Sequence, residues 1–473
     1  MNYNYDFIVI GAGSAGLSVA SGAAGMGAKV LLIEKNKMGG DCLNTGCVPS
    51  KAFLKFSHNI KELEKMNRLG MNFELNEINF QAVMQHVSNS INQIAPKDSE
   101  KRYTSLGVNV VRGSAVLQDK HTIKLNNKTY TGKNIVIATG SRPFLPEIPG
   151  LNAEDVLTSE NVFELKVQPK KLLILGGGPI GLELGQGFAK LKTEVSVVDR
   201  TSSLFKNDDP EVSAILKDTL EKDGINFYFD SQILEVTKNN DGYDVLISQK
   251  GENVSIYVDK ILISSGRKPN IEGLGLENAG VKTNERGYIQ TDLKMKTSVK
   301  NIYACGDISG HFGFTHMAGY EAGVVLRNAI FKFPYKADYS KVAWTTYTSP
   351  EVAHTGLTEQ MAKSANKFGS KLLVKFDNSD RFIIEAETEG FLKVILDQKN
   401  VVVGATIVSD NSSELIHTLS ILIAKKLKVS ELLNLVVPYP MRGDILKELA
   451  FMKSREMLTP FNKSLIKNVF LKL

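Results

Sequence analysis

Cys42 and Cys47, five positions apart in Asp41-Cys42-Leu-Asn-Thr-Gly-Cys47-Val-Pro-Ser-Lys51, are the residues of this chain best suited to redox chemistry. On a regular helix that offset separates the Cα atoms by about 8.6 Å, from about 7.5 Å of rise and about 140° of rotation at a radius of about 2.3 Å. A disulfide takes roughly 4.4–6.8 Å. The pair can therefore bond only across a distorted turn, which Gly46 and Pro49 are placed to provide. A strained bond is the more easily reduced, so the spacing points to a redox-active pair rather than a structural one. The 473 residues hold one further cysteine, Cys305, expected to be buried and inert. Three cysteines exclude a disulfide-stapled secreted scaffold and a four-cysteine zinc site, and no metal site is expected.

Two glycine patterns supply the other chemistry. Gly11-Ala-Gly13-Ser-Ala-Gly16 follows a short apolar run and opens a helical stretch, with Glu34 standing 23 residues after Gly11. The first glycine permits the tight turn, the second lets backbone approach a pyrophosphate, and the third lets helix pack on strand. The helix N-terminus then faces the phosphates with unpaired N–H groups. A carboxylate at Glu34 suits the ribose hydroxyls. Gly176-Gly-Gly178-Pro-Ile-Gly181 repeats the pattern, with Asp199 again 23 residues on. An acid beside a 2′-phosphate meets like charge, so Asp199 favours NADH over NADPH, although Arg200 follows directly. Two dinucleotide sites in one chain imply electron transfer between a flavin and a nicotinamide.

The elements that must position these residues are legible from hydrophobic periodicity. Tyr5 to Ile10 reads as a buried parallel strand, Ser14 to Met26 as a helix and Lys29 to Glu34 as a second strand. The same grammar recurs at Lys171 to Leu175, a helix through Leu191, and Glu194 to Asp199. Two more apolar runs end in glycine, Asn134 to Gly140 and Lys260 to Gly266. From about Val342 the pattern changes, with strand-like Phe391 to Leu396 and Val401 to Ile407 leading into a helix from Ser413 to Lys426. The expected fold is α/β: two Rossmann-like, three-layer dinucleotide-binding domains and a C-terminal α+β domain. Length and composition agree. At about 150 residues per domain the chain holds roughly three, and 42% apolar with 23% charged residues is ordinary globular usage. The net charge of +6 is spread without a basic stripe, so no nucleic acid is expected. The N-terminal stretch lacks the basic start of a signal peptide, and no 18-residue apolar window occurs, so a cytoplasmic location is expected.

Taken in order, GAGSAG, GGDCLNTGCVPSK, Ala138-Thr-Gly-Ser-Arg-Pro143, Gly176 to Glu183, Ser265 to Asn270 and Ala304-Cys-Gly-Asp307 resemble the flavin-dependent pyridine nucleotide-disulfide oxidoreductases. The wording around the cysteines is most similar to the mercuric-reductase-like and dihydrolipoamide-dehydrogenase-like branch. The resemblance runs essentially the whole length, through Trp344 to Glu351. It implies a discontinuous FAD-binding domain at 1–150 and 271–340, an NAD(P)-binding domain at 151–270 and a dimerisation domain at 341–473, hence a homodimer. It implies FAD at Gly11, Gly13, Gly16, Glu34 and Gly40, with Lys51, Gly113, Thr139, Gly140, Asp307 and His316 near it. NAD(P)H is implied at Gly176, Gly178, Gly181, Glu183, Asp199 and Gly266. Cys47 is then the sulfur beside the flavin, Cys42 the exchanging thiol, and Lys51 the flavin-side lysine paired with Glu183.

The chain departs from the family pattern near its C-terminal end. Members acting on small disulfides carry His-Pro with a glutamate after it, the histidine shuttling protons to the exchanging thiol from the second subunit. Here the segment is Tyr439-Pro440-Met-Arg-Gly-Asp444. An ordinary Tyr, with a pKa of about 10, is protonated at pH 7. Loss of a general base costs about 10²–10⁴-fold. The C-terminal vicinal cysteines through which mercuric reductases receive metal have no counterpart in Asn468 to Leu473. These departures leave the acceptor unidentified: a metal ion such as mercuric or cupric, a quinone or a disulfide. The alternatives are a dihydrolipoamide dehydrogenase and a redox-sensing, partner-binding flavoprotein. From Thr459 to Leu473, Phe461, Leu465, Ile466, Val469, Phe470 and Leu473 share a helical face beside Lys463, Lys467 and Lys472. Packing on its own domain or the dimer is the expectation there, ahead of membrane contact.

Overall fold

The computed structural model describes residues 3–74, 77–205 and 208–472. It is a mixed α/β structure whose contacts divide it into two compact units. The first comprises Met1–Ile60, Glu74–Arg200 and Ile225–Asp338; the second comprises Lys61–Phe73, Thr201–Gly224 and Tyr339–Leu473.

Both glycine patterns lie in the first unit, each on its own sheet. Strand Tyr5–Ile10 pairs in parallel with Val30–Glu34 on one side and Lys128–Ile137 on the other. Val108–Arg112 extends the sheet beyond Val30–Glu34, and Ile302–Ala304 joins Lys128–Ile137. The strands are apolar on both faces because both are covered: helix Ser14–Gly25 packs on one, and Ala115, Leu117, Ile123 and Leu125 of two short strands pack on the other. Ile8, Ile10, Leu31, Ile33, Ile135 and Ile137 are buried together with Ile302 and Ile308. The second sheet runs in the order Ile225–Tyr228, Glu194–Val198, Lys171–Leu175, Lys260–Ile263, all parallel. A three-stranded antiparallel sheet of Ser231–Lys238, Tyr243–Gln249 and Glu252–Val258 shares its core.

The two apolar runs that end in glycine meet beyond their ends. Ser141–Pro143 pairs antiparallel with Arg267–Pro269. Asn270 fixes the junction, its amide donating to the Thr139 carbonyl at 2.9 Å while Thr139 Oγ1 donates to the Asn270 carbonyl at 2.8 Å.

In the second unit an antiparallel sheet runs Ala343–Thr346, Glu351–Gly356, Val402–Ser409, Phe391–Leu396, Ser370–Lys375. The helices Ser412–Lys425 and Asp444–Met457 bury Leu419, Leu422, Ile445 and Leu449 against it. Strand Phe391–Leu396 and helix Ser412–Lys425 fall within a residue of their expected bounds.

Candidate functional site

Each glycine loop is held by its own acid. Glu34 accepts from the Ala12 amide at 2.6 Å and from the Asn36 amide at 2.7 Å, and is buried. Asp199 accepts from the Gly177 amide at 2.5 Å. Ala12 and Gly177 occupy the same place in their patterns, so the two halves are built alike. Gly11 and Gly176 have φ of +102° and +110°, where a side chain is strained. A Cβ on Gly16 would lie 1.8 Å from the Gly11 carbonyl oxygen, and one on Gly181 would lie 2.2 Å from that of Gly176. The middle glycines differ: a Cβ on Gly13 would meet only Gly40 Cα, at 3.8 Å, and one on Gly178 would meet nothing within 4 Å. Packing explains the outer glycines but not the middle ones, which leave the helix N-termini bare for a pyrophosphate. The residues present therefore fit a dinucleotide in each half. Around the first, Gly40 has φ +58° and abuts Gly13, Gly113 donates to the Glu34 carbonyl, and Gly140 has φ +67°. Gly266, at φ +144°, accepts from the Phe144 amide.

The cysteines sit on either side of a helix break. Cys42 lies in the short helix Gly40–Asn44, and Cys47 opens the helix Cys47–Arg68. Thr45 leaves helical geometry at φ −142°, and a Cβ on Gly46 would be 3.1 Å from the Asp41 carbonyl oxygen. This is the distorted turn that the spacing demands. Pro49 fits in the first turn, where its missing N–H has no helical acceptor to lose. The two cysteines are unbonded in this structure, which describes the reduced form of the pair. A hydrogen bond from Cys42 holds the Cys47 thiol down at about 6 against the cost of burial, with Thr315 and the Lys51 ammonium adding to the effect. The same bond, then burial and the neighbouring charges of Cys47 and Asp41, push Cys42 far above the ordinary thiol range.

Packing of two helices brings the flanking charges together. A Cβ on Gly187 would be 2.4 Å from Phe53, so the helices Cys47–Arg68 and Pro179–Lys190 approach closely there, and Phe53 and Phe188 rings lie 4.9 Å apart. One turn before that notch, Lys51 Nζ reaches Glu183 Oε2 at 2.7 Å. Glu183 is buried and Lys51 about one-third exposed.

Three residues outside the expected set belong here. Thr315, first in the helix Thr315–Ala329, places Oγ1 3.4 Å from Cys47 Sγ. Its helix is fixed against Ser14–Gly25, where a Cβ on Gly22 would strike Leu326 at 2.5 Å. Arg267 donates to Ser141 Oγ at 2.7 Å and pairs with Asp41, next to Cys42. Ser141 Oγ in turn donates to Asp307 at 2.6 Å. One guanidinium thus ties together four of the sequence motifs. The signal for all three was their place inside or beside those motifs. His316 is exposed and stacks on Phe314 with ring centroids 5.3 Å apart, and no side chain caps its helix. Cys305 is buried, its thiol pushed up first by burial and then by Glu321.

Tyr439 and Asp444 lie in the second unit. Tyr439 is exposed and donates to Asp380 at 2.7 Å, and that bond to a carboxylate raises its pKa further. Asp444 opens a helix and accepts from the Met441 amide at 3.1 Å. Each residue thus has its hydrogen-bond partner elsewhere than in the other.

Comparison with known proteins decides the family. The model described as "Pyridine nucleotide-disulphide oxidoreductase" matches residues 5–322, and that of the family's dimerisation domain matches residues 342–450. The chain belongs to this family. It is 35% identical to a mercuric reductase of Staphylococcus aureus over 94% of this chain and 81% of the relative. It is 33% identical to a dihydrolipoyl dehydrogenase of Geobacillus stearothermophilus over 94% and 95%. Among solved structures, the HOCl-induced flavoprotein disulfide reductase RclA of Escherichia coli superposes with a TM-score of 0.83 at 26% identity, covering 94% of this chain and 99% of that one. A Cu(II) complex of RclA superposes with a TM-score of 0.84 at 25% identity, over 96% and 100%. The chain is therefore an FAD-dependent pyridine nucleotide-disulfide oxidoreductase using NAD(P)H, with the fold expected from its sequence. Among the described residues, no helix is long and apolar enough to cross a membrane.

Proposed function

We propose that this oxidoreductase passes electrons from NAD(P)H to the Cys42–Cys47 pair and from there to a thiophilic metal ion, mercuric or cupric, ahead of a quinone or a small disulfide. The observation that carries this reading is the placing of Cys42 and Cys47 on either side of a helix break, with Cys47 Sγ 3.4 Å from Thr315 Oγ1 and the Lys51–Glu183 pair nearby. FAD, when bound, supplies the relay that takes hydride from the nicotinamide and passes an electron pair to sulfur. Gly11, Gly13, Gly16, Glu34, Gly40, Gly113, Thr139, Gly140 and Asp307 hold it, and His316 stands at its edge. Gly176, Gly178, Gly181, Asp199 and Gly266 hold the nicotinamide dinucleotide, with NADH preferred because Asp199 is anionic. Lys51 keeps a positive charge beside Cys47, and Glu183 holds the ammonium in place. Cys47 stays ionised, while Cys42 carries the proton and meets the acceptor. A dithiol is a soft ligand pair, which favours soft and thiophilic ions.

Tyr439, hydrogen-bonded to Asp380, is a weak base for disulfide exchange, and this sets metal ions ahead of lipoamide. The printed names "Mercuric reductase" and "Cu(II) complex" for similar proteins support the same order. We assign 1–150 with 271–340 to FAD, 151–270 to NAD(P) and 341–473 to dimerisation, in a cytoplasmic homodimer. The test is NADH and NADPH consumption by purified enzyme with mercuric ion, cupric ion, quinones, glutathione disulfide and lipoamide. Metal-dependent turnover with negligible lipoamide turnover supports the reading. Family-level rates with lipoamide would favour the second reading, a dihydrolipoyl dehydrogenase, which the 33% identity to such enzymes supports.

A further inference from the structure

The C-terminal helix is apolar on one side, cationic on the other and exposed. Helix Pro460–Asn468 is capped by Thr459, whose hydroxyl accepts from the Asn462 amide at 3.2 Å, and a short turn Phe470–Lys472 follows. This cap satisfies one of the free amides at the helix start. At about 100° per residue, Phe461, Leu465 and Val469 fall within roughly 80°, with Ile466 roughly 60° further round. Lys463, Lys467 and Ser464 take the other side, and Asn468 borders Phe461. The apolar side is only partly covered: Phe461 is 74% exposed and Phe470 63%, while Leu465, Ile466 and Val469 are 43%, 38% and 44% exposed. Packing on its own domain, one half of the expectation, covers this face only in part; Leu473 lies outside the described residues.

Charge selects the occupant. After Glu456 the sequence has no acidic side chain but three lysines, Lys463, Lys467 and Lys472. A polar face whose charged side chains are all lysines, flanked by Phe and Leu, complements anionic headgroups above acyl chains. We propose that residues 458–472 lie as an interfacial helix on an anionic lipid surface and dock the enzyme there reversibly. One such short helix gives weak binding, to which the lysines add about fivefold each near a charged surface. The proposal stands apart from the identity of the electron acceptor.

The test is co-sedimentation of the FAD-loaded enzyme with vesicles of equal parts phosphatidylglycerol and phosphatidylcholine, against vesicles of phosphatidylcholine alone. Partitioning onto the anionic vesicles should be at least about tenfold stronger and should fall with added salt. A Lys463→Gln/Lys467→Gln/Lys472→Gln variant should lose about 100-fold of it, with flavin absorbance and NADH oxidation unchanged. Equal partitioning onto both vesicles, or onto neither, would overturn the proposal. So would a Phe461→Ser/Phe470→Ser variant that keeps its vesicle binding but shifts the monomer–dimer balance in sedimentation equilibrium, which would assign this face to a second copy of the chain.

Discussion

Thr315 Oγ1 stands 3.4 Å from Cys47 Sγ, so a residue 268 positions away in the chain helps hold that sulfur as a thiolate. The hydroxyl stabilises the charged form, and its loss raises the thiol pKa. Thr315→Val should move the Cys47 ionisation up from about 6 by about one pH unit, the weight of one hydrogen bond to a charged group. Ultraviolet thiolate absorbance of the reduced protein against pH reads this directly. Below the midpoint the sulfur is protonated and above it ionised, so an unmoved midpoint would remove Thr315 from the site.

The middle and last glycines of the second loop should respond differently to alanine. At Gly181 a Cβ strikes the Gly176 carbonyl oxygen, so Gly181→Ala should destabilise the fold by about 1–3 kcal/mol or more. At Gly178 a Cβ meets no protein atom, so Gly178→Ala should fold normally and raise KM for the dinucleotide by about tenfold. Thermal unfolding and steady-state kinetics separate the two outcomes.

The proposed NADH preference rests on Asp199. Asp199→Ser removes the charge that opposes a 2′-phosphate, with Arg200 adjacent to receive one. The NADPH-to-NADH ratio of kcat/KM should rise by about tenfold or more. A ratio unchanged by the substitution would place cofactor choice elsewhere.

His354, buried in the second unit, is bonded to Thr406 Oγ1 at 2.9 Å and to the Gly356 carbonyl at 3.2 Å, with Trp344 against its ring. Burial lowers its pKa to about 4. A histidine depressed in the folded state binds its proton more readily when unfolded, at an ordinary pKa of about 6.5. Stability should therefore fall as pH drops from about 6.5 towards 4, by on the order of 3 kcal/mol. Asp208, raised to about 6 by burial and by Asp209, works in the opposite sense, so the His354 contribution is read as a difference. Urea unfolding of His354→Gln should show a flatter acid limb than the parent, and parallel limbs would refute the assignment.

Local pattern carried most of the fold into the sequence. Strand Phe391–Leu396 and the two glycine loops read correctly because their signals are contiguous: an apolar run, a turn, a helix start. The cysteine turn was legible for the same reason, since a five-residue offset has no disulfide geometry on a regular helix. Thr315 and Arg267 were not, because each gains its role from partners more than 120 positions away. Lys393 shows the same limit. It interrupts an apolar run, yet it is fully buried, with its ammonium 3.1 Å from Asp209 and 3.0 Å from Glu359. The tail face of Phe461 and Leu465 was visible as a stripe, but only the structure shows how much of it the protomer leaves exposed.

The central claim is that electrons leave through the cysteine pair. Its most direct test is Cys42→Ala in the FAD-loaded enzyme, comparing flavin bleaching by NADH with turnover on mercuric and cupric ions. Bleaching at the parental rate with turnover reduced about 100-fold or more is the expected result. Undiminished turnover without Cys42 would contradict the account and place the acceptor directly at the flavin.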